Sequence, residues 1–383
     1  MKIREIHVHK FRNHAQTDAI FGERVNALLG QNGEGKTNLL EAISYLCLTK
    51  SFFGSTDGIA MQIGEERFEV SGELEGDAGI RYHVAVTYEH ADKEKEFFIN
   101  RTRIEKFSDV VGQFPVVVLS PESGEITTGG PADRRRFLDF VISQASKVYL
   151  EDLLEYRRVL RQRNRVLFDS KVSRTDASDL LEPWNQELVD RGVRIVHRRN
   201  LFLEELQPLV AESYSSIAGR AENPMMRYES SVGTENLTSE EAIRQAFVKE
   251  LKRKASEEKR FGITLVGPHR DELLLEINNL GVRSHASQGQ HKTFLIALKV
   301  AEFLYLQSKR NERPILLLDD IFTELDGQRA EKLLALTGSV GQSFITTTSG
   351  SVFPADFNWA NENKRFVVHG GTVEHEGARV LTH

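Results

Sequence analysis

The sequence predicts an α/β protein with a mixed sheet, an added antiparallel β layer and an inserted, mainly helical domain. A buried strand at residues 25–29, a glycine-rich loop at 30–37 and a helix at 38–48 follow one another directly, as around a phosphate-binding loop. Three segments between residues 68 and 99 alternate apolar and polar positions, which is typical of antiparallel strands rather than of a doubly covered parallel sheet. Arg-rich segments with helical periodicity then occupy much of residues 133–259.

The loop at residues 30–37 reads Gly-Gln-Asn-Gly-Glu-Gly-Lys-Thr and fits G-x-x-x-x-G-K-[ST]. Glycines let such a loop curl until its N–H groups converge on phosphate oxygens, and the next helix adds the positive end of its dipole. Lys36 would reach the β- and γ-phosphates, and the Thr37 hydroxyl would ligate Mg²⁺. The alternative is a glycine-rich turn without chemical consequence. The predicted phosphate-binding residues are Gly30, Asn32, Gly33, Gly35, Lys36, Thr37 and Asn38.

A second motif, Ile-Leu-Leu-Leu-Asp-Asp at residues 315–320, reads as a buried strand that ends in two carboxylates. A parallel strand delivers such residues to the carboxyl edge of its sheet, where a nucleotide-bound Mg²⁺ needs them. Asp319 is predicted to hold the metal, mainly through water, and Asp320 to orient the attacking water. Together with Lys36 they are the predicted catalytic residues. Taken alone, the motif also fits a strand that simply enters a turn.

Composition narrows the class of protein. The chain has 383 residues with 40% hydrophobic and 28% charged content, which is ordinary for a globular protein. No apolar run approaches the length of a membrane span, and the opening strand-like segment predicts no signal peptide. Cys47 is the single cysteine, so an internal disulfide is excluded and a cytoplasmic location is expected. The net charge of −6 means that nucleic-acid binding would require a local basic surface.

The order of the segments predicts three parts. Residues 1–119 form the N-terminal half of a nucleotide-binding lobe, 120–260 a helical lobe, and 261–383 the C-terminal half of the first lobe. Predicted helices after the first one cover residues 133–168, 181–216, 239–259, 290–307 and 328–336. Predicted strands after the antiparallel segments cover residues 116–119, 261–264, 273–277, 315–318 and 344–347, with a final hairpin at 366–368 and 372–373 that turns at 370–371.

Three further motifs lie in the C-terminal part of the chain, in a fixed order relative to the glycine-rich loop and the Asp pair. Ser287-Gln288-Gly289-Gln290 precedes an apolar helix, Glu324-Leu325-Asp326 follows the Asp pair, and residues 346–348 are threonines that end the next strand. Walker A, a Ser-x-Gly-Gln signature, Walker B and a Leu-Asp D-loop in this order resemble an ABC-type ATPase head. The resemblance implies that Ser287, Gly289 and Gln290 cap an ATP molecule held by another subunit. Alone, the first motif also fits an ordinary helix N-cap.

Within that superfamily the chain resembles the RecF family of bacterial recombination proteins, in the SMC-like branch. The blocks that carry the resemblance are residues 121–122, 129–131 and 134–139, then 267–273 and 318–326, with 11–13 and 156–164 in support. The resemblance implies a cytoplasmic, nucleoid-associated repair protein that dimerises on binding ATP and clamps double-stranded DNA or single/double-strand junctions. It also implies slow, DNA-dependent ATP hydrolysis and the partners RecR and RecO in recombinase loading. Arg12 and Asn13 become nucleotide-binding candidates in the same way.

The chain departs from the wider pattern in three places. Phe53 stands where the resemblance predicts Arg, and Thr347 or Thr348 stands where ABC transporters place a switch His. Asp320 replaces the longer Glu of most ABC heads. A carboxylate that is one methylene shorter positions water less directly, which agrees with slow hydrolysis.

The candidate DNA-binding residues are Arg134, Arg135, Arg136, Arg157 and Arg161. For any single one of them a solvated helix face is the preferred interpretation, but together they could form a surface that contacts phosphates. The sequence contains no base-reading motif, which favours recognition of DNA shape over base sequence.

Four other classes of protein are alternatives to this interpretation. A transporter ATPase subunit would lack the Arg-rich helical insert and would carry the switch His. A structural SMC head would carry a long heptad coiled coil between its halves, and no such repeat is present. Another SMC-like ABC ATPase, or a passive DNA-binding module with a vestigial loop, remains as the alternative; intact Lys36, Thr37 and Asp319 argue against the passive module.

Overall fold

The computed structural model describes residues 1–52, 54, 56–176, 178–218, 222–233, 239–359 and 362–376. Phe53, noted above as a departure, lies outside them. By its internal contacts the chain forms two compact units, one of residues 1–124 and 292–383 and one of residues 125–291. The sequence predicted a division at 260, whereas residues 261–291 belong to the second unit. No helix within the described ranges is long and apolar enough to cross a membrane.

The strands and helices are numbered separately in chain order. The first unit begins with β1 (Lys2–Phe11), β2 (His14–Ile20), β3 (Val25–Leu29), α1 (Lys36–Leu48), α2 (Asp57–Ala60), β4 (Arg67–Glu75), β5 (Arg81–Glu89), β6 (Glu94–Ile99), β7 (Thr102–Arg103) and β8 (Val116–Leu119). The second unit contains α3 (Glu125–Thr128), α4 (Pro131–Ala145), α5 (Lys147–Ser173), α6 (Ser178–Ala218), β9 (Pro224–Glu229), α7 (Glu240–Phe261), β10 (Glu272–Ile277), β11 (Leu280–Gly281) and α8 (Val282–His285). The chain continues with α9 (Gln288–Arg310), β12 (Ile315–Leu318), α10 (Gly327–Val340), β13 (Ser343–Thr347), β14 (Lys364–His369) and β15 (Thr372–His375).

A six-stranded sheet in the order β15-β14-β3-β13-β12-β8 forms the centre of the first unit. The strands from β14 to β8 pair in parallel, and β15 adds an antiparallel edge. Every residue of β3, β8 and β12 is buried, as expected for parallel strands covered on both faces. The segments after β3, β12 and β13 therefore meet at one edge of the sheet.

A second, antiparallel sheet in the order β2-β1-β4-β5-β6-β7 belongs to the same unit. It contains the predicted meander, with β1 and β2 as additional strands. The buried residues alternate along β4 and β5, which is the period-two pattern seen in the sequence. Phe11 contacts Tyr45 of α1 edge to face with ring centroids 5.3 Å apart, and Phe68 with centroids 5.2 Å apart. These contacts fix the antiparallel sheet against the helix that follows the glycine-rich loop.

The second unit combines four longer helices with a small sheet in the order β11-β10-β9. The helix predicted over residues 133–168 is two helices, because Ser146 leaves the helical conformation and caps α5 by accepting from the Tyr149 N–H at 3.3 Å. The strand predicted at residues 261–264 is wrong, because α7 continues to Phe261 and ends at Gly262 in the left-handed conformation (φ 75°). Pairing of β10 with β9 keeps residues 272–277 in this unit.

Candidate nucleotide-binding site

The glycine-rich loop connects buried β3 to α1, as the sequence predicted. Gly33 and Gly35 adopt φ values of 86° and 111°, in the left-handed region that favours glycine. A Cβ atom on Gly35 would lie 2.6 Å from Oδ1 of Asn13, and one on Gly30 would lie 2.3 Å from the Val368 carbonyl oxygen. Gly30 is therefore required for lack of space, because its obstacle is backbone, and Gly33 and Gly35 are required for their left-handed conformation. Asn32 lies exposed at the loop tip.

His14 supports this loop from beneath. Its Nε2 lies 3.0 Å from the Gly35 carbonyl oxygen, and its Nδ1 lies 2.9 Å from the Thr17 hydroxyl. Burial lowers the pKa of His14, so the ring is neutral and carries one N–H. The Gly35 carbonyl can only accept, so Nε2 carries the N–H in that contact, and the Thr17 hydroxyl donates to the Gly371 carbonyl at 2.9 Å. The role of His14 is not predictable from the sequence, because no periodicity or spacing distinguishes it from the residues beside it.

The turn between β14 and β15 holds the loop from another side. The Gly371 N–H donates to the Glu34 carbonyl at 2.9 Å, and the Gly370 N–H donates to the Glu34 carboxylate at 2.5 Å. A Cβ atom on Gly371 would lie 2.0 Å from the Asn13 carbonyl oxygen. The C-terminal hairpin is therefore a structural part of the candidate site.

Lys36 lies within the curl of the loop, with only 6% of the residue exposed. Its Nζ donates to the carbonyl oxygens of Gly30 at 2.7 Å and Gln31 at 2.8 Å. Burial lowers the pKa of Lys36, and the carboxylates of Asp320, Asp319 and Glu34 oppose that effect. The loop thus holds an ammonium group within its curl, next to the N-terminus of α1, which suits the binding of a polyphosphate.

Thr37 and Asp319 meet at the edge of the parallel sheet. Thr37 Oγ1 lies 2.8 Å from Asp319 Oδ1 and 3.0 Å from Oδ2, and Thr346 Oγ1 donates to Asp319 Oδ1 at 2.8 Å. Burial raises the pKa of Asp319, and the nearby charges of Glu122 and Asp320 raise it further. The site therefore holds a buried carboxylate whose ionised form a cation would stabilise.

Asp320 has a different environment from its neighbour. Its backbone is left-handed (φ 48°), and its N–H donates to Thr346 Oγ1 at 2.8 Å. Its Oδ1 is buried and has no hydrogen-bond partner among the described residues. A strained backbone that carries an unsatisfied carboxylate oxygen is a feature of functional sites, and this oxygen has the capacity to accept a hydrogen bond from water.

The residues present fit Mg²⁺. Thr37 and Asp319 supply hard oxygen atoms side by side, and the described residues include no cluster of three or more His, Cys, Asp or Glu that would hold a metal alone. Mg²⁺ commonly takes one or two protein oxygens and completes its shell with water and substrate phosphates. Thr37 and Asp319 are the residues that would hold it.

Arg12 and Asn13 lie beside the loop. Arg12 forms a bidentate ion pair with buried Glu41, with both N–O distances 2.7 Å. Asn13 Oδ1 accepts from Asn38 Nδ2 at 2.7 Å. Asn13 Nδ2 donates to the Gly33 carbonyl oxygen at 3.5 Å. Both residues thus support the loop and the first turn of α1, and direct contact between them and a nucleotide stays a prediction.

The signature segment, Ser287–Gln290, opens α9 and belongs to the second unit. The Ser287 N–H donates to Gln290 Oε1 at 2.8 Å, and the Gln290 N–H donates to Ser287 Oγ at 3.2 Å, which is a reciprocal capping box. Gln290 Nε2 also donates to Glu222 at 3.0 Å. Ser287 and Gln288 are exposed, so this helix N-terminus faces solvent.

The chain is similar in sequence to known proteins over most of its length. A family model described as "RecF/RecN/SMC N terminal domain" matches residues 2–359. The DNA replication and repair protein RecF of Chloroherpeton thalassium is 44% identical over 358 residues, which cover 92% of this chain and 96% of the relative. RecF of Salinibacter ruber is 41% identical over 361 residues, which cover 94% and 87% of the two chains. The chain belongs to the RecF family.

Solved structures lead to the same family. A structure of "the recombination mediator protein RecF-ATPrS in RecFOR pathway" superposes with a TM-score of 0.90 at 33% identity, over 98% of both chains. An Smc head domain from Pyrococcus furiosus superposes with a TM-score of 0.56 at 14% identity, over 99% of this chain and 98% of that one, and supports the fold alone. The predicted fold, an SMC-like ABC ATPase head, is confirmed.

The five arginines predicted to bind DNA have different environments. Arg134 is buried, donates to both carboxylate oxygens of Glu272 at 2.9 Å and bonds the Gly129 carbonyl at 3.0 Å. Its guanidinium is held by a structural ion pair, and its contact with DNA stays a prediction. Arg136, Arg157 and Arg161 are exposed and Arg135 is half-buried, so these four stay candidates.

Proposed function

We propose that the protein binds ATP with Mg²⁺ and hydrolyses it slowly, and that ATP controls its binding to DNA in recombinational repair and replication. The approach of Thr37 to Asp319, beside an unpartnered oxygen of Asp320, is the observation that carries the proposal. The names of its RecF relatives, which are DNA replication and repair proteins, support the biological setting. A relative solved as RecF-ATP supports the choice of nucleotide.

Each catalytic residue has a separate task in this proposal. Lys36 and the loop N–H groups bind the phosphates and balance their charge, and Asn38 and Asn13 keep the first turn of α1 in place. Mg²⁺ held by Thr37 and Asp319 would supply charge neutralisation at the phosphate oxygens. The Asp320 carboxylate orients a water molecule for attack. Phosphoryl transfer depends mainly on such positioning and charge stabilisation.

Hydrolysis is expected to be weak and to depend on DNA. Asp320 has one methylene fewer than Glu, so its carboxylate reaches less far towards a water molecule, and a small misplacement of a catalytic group strongly reduces the rate. A slow reaction lets the ATP-bound state persist, and its completion ends that state. The chain would then act as a switch whose bound and free forms are set by its nucleotide.

ATP is proposed to join two copies of the chain. The N-terminus of α9 at Ser287 is exposed, and the positive end of a helix dipole attracts phosphate. The Ser287, Gly289 and Gln290 segment of one copy would cap the ATP bound by Gly30–Thr37 of the other. ATP contacts made only in the dimer would then shift the equilibrium towards it.

Double-stranded DNA and single/double-strand junctions are the proposed nucleic-acid partners, and RecR and RecO the proposed protein partners. The net charge of −6 opposes DNA binding over the chain as a whole, so a local arginine surface has to provide it. A relative described as a "recombination mediator protein RecF" in the "RecFOR pathway" supports the choice of protein partners. These interactions imply a cytoplasmic protein associated with the nucleoid.

Light scattering tests the proposed dimer directly. With ATP and Mg²⁺ the protein is expected to double from its monomer mass of 43.4 kDa, and with ADP to remain at that mass. Ser287→Arg should remain monomeric with ATP while still binding the nucleotide, since Ser287 is exposed and outside the phosphate-binding loop. A mass of 43.4 kDa under all conditions would reject the proposed dimer.

A further inference from the structure

A cavity of about 280 Å³ in the second unit is lined by an unusual number of arginines. α4 contributes Arg135 and Arg136, α5 contributes Arg157, and α6 contributes Arg199. Asp139 is the one carboxylate in the lining. The lining of this arginine cavity therefore carries four guanidinium groups and one carboxylate, although the whole chain is acidic. The carboxylates of Asp133, Glu125 and Asp271 interact with these arginines from outside the lining.

Arg199 forms the rigid floor of the arginine cavity. Only 2% of the residue is exposed, and its guanidinium donates to Asp139 at 2.7 Å, to the Pro268 carbonyl at 2.8 Å and to the Tyr149 hydroxyl at 3.1 Å. Asp139 also accepts from Tyr149 at 2.6 Å and from Arg157 at 3.0 Å. A single carboxylate is thus shared by two guanidinium groups and cannot neutralise both.

The other two arginines of the lining have different partners. Arg135 donates to the Asp271 carbonyl oxygen at 2.7 Å, a neutral acceptor that fixes the side chain without cancelling its charge. Arg136 is 73% exposed, and the nearest carboxylate oxygens in its ion pairs, from Asp133 and Glu125, are 3.5 and 3.9 Å away. Each guanidinium retains N–H donors for a further acceptor.

His269 adds a neutral, fixed wall. Its Nδ1 accepts from the Tyr156 hydroxyl at 2.6 Å, and its Nε2 donates to the Thr264 carbonyl at 3.2 Å. Burial lowers its pKa to about 4, and the charges of Arg270, Arg135 and Arg163 contribute to the same shift. The imidazole is therefore neutral and adds no charge of its own to the arginine cavity.

We infer that the arginine cavity is a phosphate-binding pocket that receives a backbone phosphate of DNA, an inference that rests on the proposed DNA binding. Planar guanidinium groups bind phosphate oxygens in bidentate geometry, and the cavity offers several of them around one concave space. Its volume lies near the lower end of small-molecule pockets, which suits a phosphodiester group. The pocket would fix the register of the DNA backbone without reading bases.

The salt dependence of DNA affinity tests this inference. Arg157→Gln and Arg135→Gln each remove one charge from the arginine cavity. Arg158→Gln is the matched control, because Arg158 is the next residue of α5, is exposed, pairs with Glu155 at 2.9 Å and lies outside the lining. Fluorescence anisotropy would measure the Kd of the full-length protein with ATP for duplex DNA between 0.05 and about 0.3 M salt.

Both cavity variants are expected to reduce the slope of log K against log salt by about 0.9 and to weaken binding about fivefold at about 0.15 M salt, as for the loss of one phosphate contact. Arg158→Gln should retain the wild-type slope. Equal slopes for Arg157→Gln and Arg158→Gln would overturn the pocket while leaving the proposed DNA binding intact. Wild-type protein that binds no DNA would reject the proposed function and the pocket together.

A calorimetric titration with inorganic pyrophosphate at constant ionic strength distinguishes the source of the phosphate. With the glycine-rich loop saturated by ATP, pyrophosphate is expected to bind weakly at the arginine cavity and to compete with DNA in the wild type, and to lose both effects in Arg157→Gln. Pyrophosphate binding that is lost in Arg157→Gln while the DNA slopes stay unchanged would show a pocket for free anions. That result would overturn the assignment to DNA.

Discussion

Thr37 Oγ1 lies 2.8 Å from Asp319 Oδ1, although 282 residues separate the two in the chain. The contact arises because β3 and β12 run parallel on either side of β13 and end at the same edge of the sheet. Thr346, at the end of β13, donates to the same carboxylate. The segments at the ends of three neighbouring strands thus bring two hydroxyl groups and a carboxylate together beside the glycine-rich loop.

The ionised Asp319 carboxylate is expected to reduce the stability of the nucleotide-free protein. Asp319→Asn keeps an oxygen that can accept from Thr37 and Thr346 while it removes a buried charge. Thermal unfolding should show a higher Tm for Asp319→Asn without ligand, and the variant should lose the further rise in Tm that ATP with Mg²⁺ gives the wild type. A lower Tm without ligand would contradict this interpretation.

The difference in stability between the wild type and Asp319→Asn is expected to depend on pH. Because burial raises the pKa of folded Asp319, the folded state binds its proton more tightly than the unfolded chain does. The wild type therefore loses stability relative to Asp319→Asn as the pH rises through that raised pKa, and the difference is complete above it. A difference in Tm that grows in acid would have the wrong sign.

Asp320→Asn should separate nucleotide binding from hydrolysis. An amide cannot act as a base towards water, so the rate of phosphate release should fall about 100-fold or more, while ATP affinity and ATP-dependent dimerisation persist. Asp92→Asn, in the exposed turn between β5 and β6, is the control and should hydrolyse at the wild-type rate. Unchanged phosphate release in Asp320→Asn would assign the water-orienting role to another residue.

His14→Ala should weaken ATP binding without removing any group that touches the nucleotide. The loss of the hydrogen bond to Gly35 frees the loop, and a bond of this kind contributes about 1 kcal/mol, which corresponds to about a fivefold higher Kd. His9→Ala, an exposed residue of β1, is the matched control and should bind as the wild type does. Equal ATP affinities of the two variants would show that His14 does not contribute to nucleotide binding.

His269 makes the second unit sensitive to acid. Its folded pKa of about 4 lies below its ordinary value of 6.5, so the unfolded chain gains a proton first and stability falls as the pH drops from 6.5 towards 4. The loss amounts to about 3 kcal/mol. His269→Gln can accept from Tyr156 and donate to Thr264, and its free energy of unfolding should depend less on pH in this range. His285→Gln, at an exposed position, should retain the wild-type dependence.

The sequence predicted the parts of the fold that local pattern determines. The strands at residues 25–29 and 315–318 are continuous apolar runs, and both are fully buried parallel strands. The alternating segments between residues 68 and 99 form the antiparallel meander, and the turn at Gly370–Gly371 joins β14 to β15. In each case the signal lies within a few neighbouring residues.

The missed features depend on contacts between distant parts of the chain. β10 stays in the second unit because it pairs with β9, and no local pattern shows which strands will pair. Arg134, the first of three consecutive arginines, looked like a surface residue, yet Glu272 holds it in the core. His14 gains its role only when Gly35 is folded over it. Such partners are invisible in any single stretch of sequence.

The central claim is that the glycine-rich loop is half of a site completed by Ser287–Gln290 of a second copy. Mixing Lys36→Ala with Ser287→Arg protein tests it most directly, because each variant alone is expected to be inactive. A mixed dimer would pair the intact loop of one copy with the intact signature of the other and form one working site. ATP hydrolysis is expected to return on mixing, and a mixture as inactive as its components would reject the shared site.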